Sequence, residues 1–528
     1  MADTLELAGE NPFKVRAFRK AADTLGQSEY ADRLVAMVAD GSLVEIPGIG
    51  KGILAFLQET AAGRVSPDLE AALKKIPQGL RELTRVPGLG PKKARVVVDQ
   101  LGIQTLGELE YACKENRLLK LDGFGEKLQT KILASVQFLL RSVGKALLSD
   151  SENWADAIES KLKEPDRALA VRTGSLARRD EVLSELEWVA SADVAKKIEK
   201  AADAVNPAVR VEVHRAEVAE LGVASVRRSS APDFWKALEK RSKEKLDTIS
   251  AGTETEFFKK AGTPFLAPEF RGSATIFDLL DKPGVDSIVR EDDVRGVFHA
   301  HTTRSDGHDS LEEMTRAAHT AGFEYFGVSD HSQSAFYAHG LSAEDLKAQR
   351  KECEAAQKKV PACRIFWGIE SDILKDGSLD YSEKVLGEFD FVIASIHSRF
   401  GLGRKDMTDR IVKALKHPRT RILGHVTGRL LLGREGYDID MEEIIKVASH
   451  EGKAIEINAH PQRLDIDWRW GDALRKHKTW VAINPDAHEK EGIRDFRYGV
   501  AMARKALLPK TQILNALNTK EVASWLKS

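Results

Sequence analysis

Cysteine is scarce in this chain of 528 residues. The three present, Cys113, Cys353 and Cys363, lie far apart and form no CxxC pair. That excludes a disulfide framework and fits a reducing compartment. No apolar run approaches the roughly 18 residues of a membrane span. The first ten residues are acidic and lack the apolar centre of a signal peptide. A formal net charge of −1 excludes a uniformly basic nucleic-acid binder, although a whole-chain sum hides local patches. These absences lead us to expect a soluble, cytoplasmic monomer with no membrane partner. The hydrophobic content of 42% is enough for ordinary cores, and the length suggests three or four domains.

What is present is most informative near the C-terminus. Potential metal ligands occur there in short ordered contexts: Val297-Phe298-His299-Ala300-His301, Ser305-Asp306-Gly307, Val328-Ser329-Asp330-His331, Gly368-Ile369-Glu370, Ala394-Ser395-Ile396-His397, Leu423-Gly424-His425 and Asn484-Pro485-Asp486-Ala487-His488. Most close an apolar, β-branched run, as residues at strand ends do. Imidazole with carboxylate suits Zn²⁺, Mn²⁺ or Fe, and a cluster of such ions cleaves phosphoesters. Strand-like runs end near His301, His331, Asp372, His397, His425, His460 and His488, with helical patterns between them at 342–358 and 441–449. This alternation predicts a parallel sheet closed into a barrel of seven units, with its site at the strand C-termini. Strand alternation places His299 beside His301 and Asp486 beside His488. His308, His319, His339, His417, His450 and His477 read as ordinary histidines. His460 is ambiguous and is expected near the site together with Asn458.

The first third repeats another pattern three times: Ile46-Pro47-Gly48-Ile49-Gly50-Lys51, Val86-Pro87-Gly88-Leu89-Gly90-Pro91-Lys92-Lys93 and Leu121-Asp122-Gly123-Phe124-Gly125-Glu126-Lys127. Each G-x-G turn precedes an amphipathic helical run, whose first N–H groups can hold an anion. Between residues 73 and 98 lie Lys74, Lys75, Arg81, Arg85, Lys92, Lys93 and Arg95 against Glu82 alone, a patch able to neutralise phosphates. The pattern resembles the helix-hairpin-helix motif, which holds the DNA backbone without reading bases. That resemblance implicates Gly48, Gly50, Gly88, Gly90, Lys92, Lys93, Gly123 and Gly125. The stretch 11–22 reads as a basic helix with buried aromatics. It resembles the opening of the small N-terminal domain of family X DNA polymerases.

From about residue 150 to 262 helix and strand alternate. Ala168 to Thr173 runs into Gly174-Ser175-Leu176-Ala177-Arg178-Arg179. This resembles the triphosphate-holding turn of the nucleotidyltransferase fold, which would use Gly174, Ser175, Arg178 and Arg179. Family X polymerases then present three metal-binding Asp, but the matching positions here are Glu185, Glu187 and Glu212. Glu185 and Glu187 can still converge by strand alternation. The extra carbon moves each carboxylate by up to ~1.5 Å, which in a two-metal site can cost ~100-fold in rate. The family's aromatic-Thr-Gly-Ser segment is also missing. The nearest stretch, Val226-Arg227-Arg228-Ser229-Ser230, lacks both the aromatic residue and the Gly. The basic run Lys236, Lys240, Arg241, Lys243, Lys245 fits a DNA-facing helix or a solvated one.

The C-terminal ligand set resembles the PHP (polymerase and histidinol phosphatase) domain, a distorted seven-stranded barrel. The resemblance implies one ion on His299, His301, Glu370 and Asp486. It implies a second on Glu370, His397 and His425, and a third on Asp306, His331 and His488. Two or three Mn²⁺ or Zn²⁺ ions are therefore expected, plus Mg²⁺ or Mn²⁺ at the polymerase site if that site is active. Glu370 and Asp486 are the expected catalytic carboxylates. Arg429 and Arg463 are placed either to hold a phosphate or to form ion pairs at the barrel rim.

The order of elements is similar to that of bacterial family X DNA polymerases. We expect a multidomain α+β and α/β chain: a helix-hairpin-helix region at 1–145, a degenerate nucleotidyltransferase-like palm and thumb at 146–263, a linker at 264–293 and the PHP barrel at 294–528. Pro264 to Ser273 and Lys282-Pro283-Gly284 punctuate the linker. The resemblance implies a DNA-repair enzyme, a metal-dependent 3′→5′ exonuclease or 3′-end-processing phosphoesterase with impaired polymerase activity. Its partners would be gapped, nicked or 3′-ended DNA and, if polymerisation survives, deoxynucleoside triphosphates. Three alternatives stand beside this reading: an active gap-filling polymerase with an associated exonuclease, a DNA-binding scaffold with an inert barrel, and a small-molecule phosphatase.

Overall fold

The computed structural model describes residues 1–25, 34–76, 78–280 and 287–528. Two compact units are described separately, Met1–Val143 and Gly144–Ser528. Lys282-Pro283-Gly284 lies outside the described residues. No helix among those described is long and apolar enough to cross a membrane.

The first unit is helical. Its three G-x-G turns share one geometry. Gly48, Gly88 and Gly123 have φ of 95°, 97° and 77°, the left-handed region where a Cβ is costly. Gly50, Gly90 and Gly125 then cap the helices Lys51–Ala61, Pro91–Leu101 and Glu126–Ser142 in extended conformation. A Cβ on Gly50, Gly90, Gly123 or Gly125 would meet no atom within 4 Å, so packing inside the unit does not demand glycine there. Open space over backbone N–H groups is what a ligand approaching from outside requires. The apolar positions between the glycines, Ile49, Leu89 and Phe124, are buried and anchor each turn. Lys92 and Arg85 are exposed, whereas Lys75 is paired with Glu10 and Lys74 with Glu70. Arg95 is turned inward onto the Leu7 carbonyl. The helix Pro12–Leu25 forms as expected, but only one of its aromatics is buried: Phe18 is in the core and Phe13 is 73% exposed.

The second unit contains three sheets. Strands β1 (Ala146–Leu147) and β3 (Val182–Leu183) form an antiparallel pair. Strands β2 (Ala170–Arg172), β4 (Leu186–Ala190) and β5 (Val211–Arg215) form a three-stranded sheet, antiparallel across β2–β4 and parallel across β4–β5. Within the stretch expected as a linker, residues 266–280 are folded onto a core instead. Leu266, Phe270, Ile276 and Phe277 share a core with Phe234, Leu238, Phe257 and Phe258. Arg271 is fully buried, donating to both carboxylate oxygens of Glu254 at 2.8 and 2.7 Å. The Pro and Gly residues there punctuate short 3₁₀ turns that are packed on the core, which punctuation alone does not distinguish from a free linker.

The third sheet is the seven-stranded parallel barrel: β6 (Gly296–Val297), β7 (Tyr325–Val328), β8 (Arg364–Asp372), β9 (Phe391–Ser395), β10 (Thr420–Leu423), β11 (Ala454–Asn458) and β12 (Trp480–Asn484), in sequential order. The helices expected near 342–358 and 441–449 are Asp345–Lys359 and Met441–His450. Alternation sets the layers. One parity, including Phe326, Trp367, Val392 and Ile455, packs against the helices. The other, including Phe298, Tyr325, Phe366, Phe391 and Ile422, fills a separate cluster that also holds Val522 and Leu526 near the C-terminus. Gly368 belongs to this second parity, and a Cβ there would sit 2.3 Å from the Phe391 ring. The glycine ahead of Ile369-Glu370 thus makes room for the aromatic floor beneath the site. Closure between the first and last strands is by single contacts: the Ala300–Ala487 bridge, the His301 N–H donating to the Ala487 carbonyl at 2.8 Å, and the Phe298 N–H donating to Asn484 Oδ1 at 2.9 Å.

Candidate metal centre

Six of the seven barrel strands deliver a donor near or just beyond the C-terminal end, β11 being the exception. Glu370 is at the middle and is almost completely buried. Its Oε1 lies 2.9 Å from His425 Nε2 and 3.3 Å from both His299 Nε2 and His397 Nε2. Its Oε2 lies 3.0 Å from His331 Nδ1 and 3.6 Å from His301 Nε2. Asp486 Oδ1 is 3.2 Å from His301 Nε2 and 3.4 Å from His299 Nε2. Asp306 Oδ2 is 3.4 Å from His488 Nε2 and 3.5 Å from His331 Nε2.

The donors fall into four overlapping groups: His301, Asp306, His331 and His488; His299, His301 and Asp486; His299, Glu370 and His425; His331, Glu370 and His397. All nine side chains singled out as ligands therefore come together. The floor is buried and the Asp306–His488 side is half-exposed, which leaves that side open to a substrate.

The backbone reaches this geometry differently from the strand alternation expected. Asp486 has φ of 52° and His425 has φ of 21°. The chain turns out of the strand before presenting them, and Asp tolerates the left-handed region better than most residues.

The donor set fits divalent ions. His299 Nε2, His301 Nδ1, His425 Nδ1 and Glu370 Oε2 are buried with no hydrogen-bond partner among the described residues, an arrangement that is costly unless something binds there. The electrostatics agree. Burial works against ionising Glu370, yet the imidazoles of His397, His299 and His331 hold it well below the usual carboxylate range. Burial also works against charge on His331, but Glu370 and Asp306 push it up to about 10. Burial, aided by His488 and His331, pushes neighbouring His301 down to about 3. The carboxylates demand positive charge among imidazoles that cannot all carry it, and metal ions resolve that conflict.

Two carboxylates passed over in the sequence complete the centre. Glu456, fully buried on β11, accepts from His299 Nδ1–H at 2.7 Å and from the His425 N–H at 2.8 Å. Asn484 and Asn458 also donate to it, at 3.0 and 3.1 Å. Asp372, two residues beyond Glu370, accepts from His397 Nδ1–H at 2.5 Å. Each leaves the imidazole Nε2 facing the centre. The signal for Glu456 was visible: a charged residue alternating with Asn458 inside the apolar run Ile455 to Ile457. Asn458 lies beside the site as expected, donating to Asp486 Oδ2 at 2.9 Å. His460 belongs to none of the four groups.

The two arginines separate. Arg463 Nε lies 3.4 Å from Asp486 Oδ2, at the edge of the centre. Arg429 is used up elsewhere: it donates to Asp467 Oδ2 at 2.6 Å, to the Arg463 carbonyl at 2.9 Å and to the Leu464 carbonyl. Of the two roles expected for it, Arg429 takes the rim ion pair and fastens the loop that carries Arg463.

The polymerase-like glutamates form no comparable cluster among the described residues. Glu187 and Glu212 are paired across β4 and β5, with His214 between them at 3.4 and 3.6 Å. Glu185 turns to Arg210 at 3.0 Å and does not join them. Glu187 also accepts from the Ser175 N–H at 3.1 Å, and a Cβ on Gly174 (φ 57°) would collide with its carboxylate. The turn expected to hold phosphate thus holds this chain's own carboxylate. Arg178 is bonded to Asp180 and Ser175 at 2.7 and 3.1 Å, and Arg179 to Glu152 at 2.9 Å.

Comparison with known proteins agrees with the architecture. The PHP domain profile matches residues 298–460. The SAM-like helix-hairpin-helix tandem matches 80–137, and the helix-hairpin-helix domain matches 1–64. The chain is 32% identical over 561 residues to the "DNA polymerase/3'-5' exonuclease PolX" of Bacillus subtilis (strain 168), covering 99% of this chain and 97% of that protein. It is 30% identical over 211 residues to a "Probable phosphatase" of Caldicellulosiruptor saccharolyticus, covering 37% of this chain and 80% of that one. A solved histidinol phosphate phosphatase from Lactococcus lactis, complexed with zinc, L-histidinol and phosphate, aligns with 40% of this chain and 93% of that one, at 17% identity and a TM-score of 0.30. With helix-hairpin-helix elements ahead of a polymerase-like domain and a PHP barrel behind it, the chain belongs to the bacterial PolX family of DNA polymerases.

Proposed function

We propose that the barrel is a divalent-metal-dependent phosphoesterase acting on DNA 3′ ends, as a 3′→5′ exonuclease or end-processing enzyme, and that polymerisation is impaired. The supporting observation is the convergence of nine imidazoles and carboxylates at one end of the barrel, with buried atoms of His299, His301, His425 and Glu370 that lack hydrogen-bond partners among the described residues. One ion would be held by His299, His301, Glu370 and Asp486, a second by Glu370, His397 and His425, and a third by Asp306, His331 and His488. Bound there as Mn²⁺ or Zn²⁺, such ions supply Lewis acidity toward phosphoryl oxygens and activate the attacking water.

The chain's own residues do the rest. Glu456 and Asp372 fix the tautomers of His299 and His397. The aromatic floor excludes bulk water. Arg463, beside Asp486, is placed to bind the non-bridging oxygens of a phosphate that enters from the half-exposed side. DNA would be gripped along its backbone at the glycine turns Gly48-Ile49-Gly50, Gly88-Leu89-Gly90 and Gly123-Phe124-Gly125, with Lys92 and Lys93 adding charge. A phosphatase of small metabolites would need none of these turns.

Glu187 supports the reading of impaired polymerisation. Its carboxylate occupies the Ser175 N–H, so a triphosphate arriving at Gly174, Ser175, Arg178 and Arg179 would meet like charge and arginines already paired. A working gap-filling polymerase is the rival reading, favoured by the name of the 32% identical relative. The test is to incubate 5′-labelled gapped and 3′-ended DNA with Mn²⁺, with and without deoxynucleoside triphosphates. Shortening without extension is expected. Robust extension would overturn the reading of the middle domain, and absence of shortening would overturn that of the barrel.

A further inference from the structure

The loop after β7 presents one large side chain to solvent that no part of the metal centre uses. Phe336 is 86% exposed, the most exposed of the described large hydrophobics. A single exposed apolar residue needs no explanation by itself; the way this one is mounted does. The loop begins directly after His331 and returns at Leu341, whose N–H donates to the His331 carbonyl at 2.8 Å, with a bridge between Ser332 and Leu341. Gly340 permits that closure, since a Cβ there would lie 1.9 Å from the Ser332 carbonyl oxygen.

The underside of the loop is pinned. Ser334 N–H donates to Asp380 Oδ2 at 2.6 Å and Gln333 Nε2 to the Asp380 carbonyl at 2.7 Å. Ser332 Oγ accepts from the N–H of Asp372, the residue that orients His397, at 2.9 Å. Ala335 and Ala338, on either side, are buried. Small residues thus face inward while a phenyl ring faces out, on a base wired to two sides of the metal centre.

Phe336 is five residues from His331, so its Cα lies within about 18 Å of a donor even for a fully extended chain. Arg399, two residues past His397 on the loop after β9, is exposed at the same end of the barrel, and Arg463 stands at the centre. Phe400, at the same end, is taken: Arg434 lies 4.3 Å over its ring and Tyr437 is stacked on it at 6.0 Å. An uncovered ring on a pinned loop, at the end of the barrel that carries these cations and the metal centre, fits the way proteins stack the bases of a single strand.

We propose that Phe336 is a base-stacking platform for the single-stranded 3′ end of DNA, which makes the barrel select polynucleotide over small phosphoesters. The proposal rests on the reading of the barrel as a DNA phosphoesterase. Stacking is independent of base identity, because each base has a π face, so the selection is for a strand and not for a sequence.

The test compares the full-length, Mn²⁺-loaded protein with Phe336→Ala, Phe336→Leu and Phe336→Trp. Two substrates are used, a 5′-labelled single-stranded oligonucleotide and bis(p-nitrophenyl) phosphate. For Phe336→Ala the expected result is a rise of about tenfold in KM on the oligonucleotide, the scale of one lost stacked base, with kcat and cleavage of the small ester unchanged. Phe336→Trp restores the oligonucleotide KM and Phe336→Leu does not. Abasic nucleotides near the 3′ end raise the KM of the parent protein and add nothing to the Phe336→Ala defect. Equal losses on both substrates, rescue by Leu as good as by Trp, or no change in KM would overturn the proposal. If the parent protein cleaves neither substrate, it is the phosphoesterase reading that fails.

Discussion

Glu370 in the barrel and Glu187 in the polymerase-like sheet are both carboxylates on a strand, with histidine nearby, in places where metals were expected. Their surroundings separate them. Glu370 is buried among five imidazoles, and its Oε2 has no hydrogen-bond partner among the described residues. Glu187 is satisfied by a backbone N–H, one histidine and the space above Gly174. Of its would-be partners, Glu185 pairs with Arg210, and Glu212 is 46% exposed and linked to it through His214. The Glu370 carboxylate is crowded by more imidazoles than it can pair with, as a metal-holding carboxylate would be. Glu187 instead makes its hydrogen bonds with its own chain.

This contrast can be broken most forcefully at Glu370. Glu370→Gln is expected to lower exonuclease rate by at least ~1,000-fold, since the lost charge lies where developing charge is balanced. It should also weaken the stabilisation of the protein by Mn²⁺, about 2.7 kcal/mol for a site at a hundredfold excess over Kd, read as a smaller thermal shift, with the ion at Asp306, His331 and His488 retained. The next largest effect is expected at Glu456→Gln, which leaves every proposed ligand in place but loosens His299. Metal affinity should fall by about 10–100-fold, measured by titration calorimetry, with the fold unchanged by circular dichroism.

A smaller effect concerns the joint between the two folds of the second unit. Asp180 accepts from Lys505, a buried lysine of the barrel, and from Arg178. Burial opposes ionisation of Asp180, but Lys505 and Arg178 hold its pKa below the ordinary value. A depressed folded-state pKa means that the stabilisation is complete above the unfolded pKa of roughly 4 and fades as pH falls through the folded value. Asp180→Asn should therefore cost about 2 kcal/mol at pH 7, with the gap to the parent narrowing below roughly pH 4, measured by denaturant unfolding. The smallest effect is expected at Glu187→Gln. It should change exonuclease activity by less than about twofold, because a carboxamide oxygen can still accept the Ser175 N–H.

The barrel was legible in the sequence because its signals are redundant. Seven apolar runs, six of them carrying a donor near the end, specify parallel strands and a shared end together. Three repeats of G-x-G did the same for the hairpins. Single-residue signals were less dependable. Phe13 reads as buried by helical pattern but faces solvent, because Phe18 alone falls on the packed stripe. Arg429 and Arg463 look alike in sequence, and only the loop carbonyls and Asp467 decide between them. Glu456 was missed because an acidic residue within a strand reads as solvent-facing until the barrel interior is known. The polymerase-like site misled in another way: alternation suggested that Glu185 would join Glu187, but Glu185 precedes β4 and its orientation is set by Arg210.

Anomalous scattering from crystals of the full-length protein grown with Mn²⁺ tests the metal centre most directly. Two or three peaks are expected at the C-terminal end of the barrel, within roughly 2.0–2.3 Å of donor atoms from His299, His301, Asp306, His331, Glu370, His397, His425, Asp486 and His488. An empty barrel in a folded protein, or a metal cluster bound instead at Glu185, Glu187 and Glu212, would contradict it.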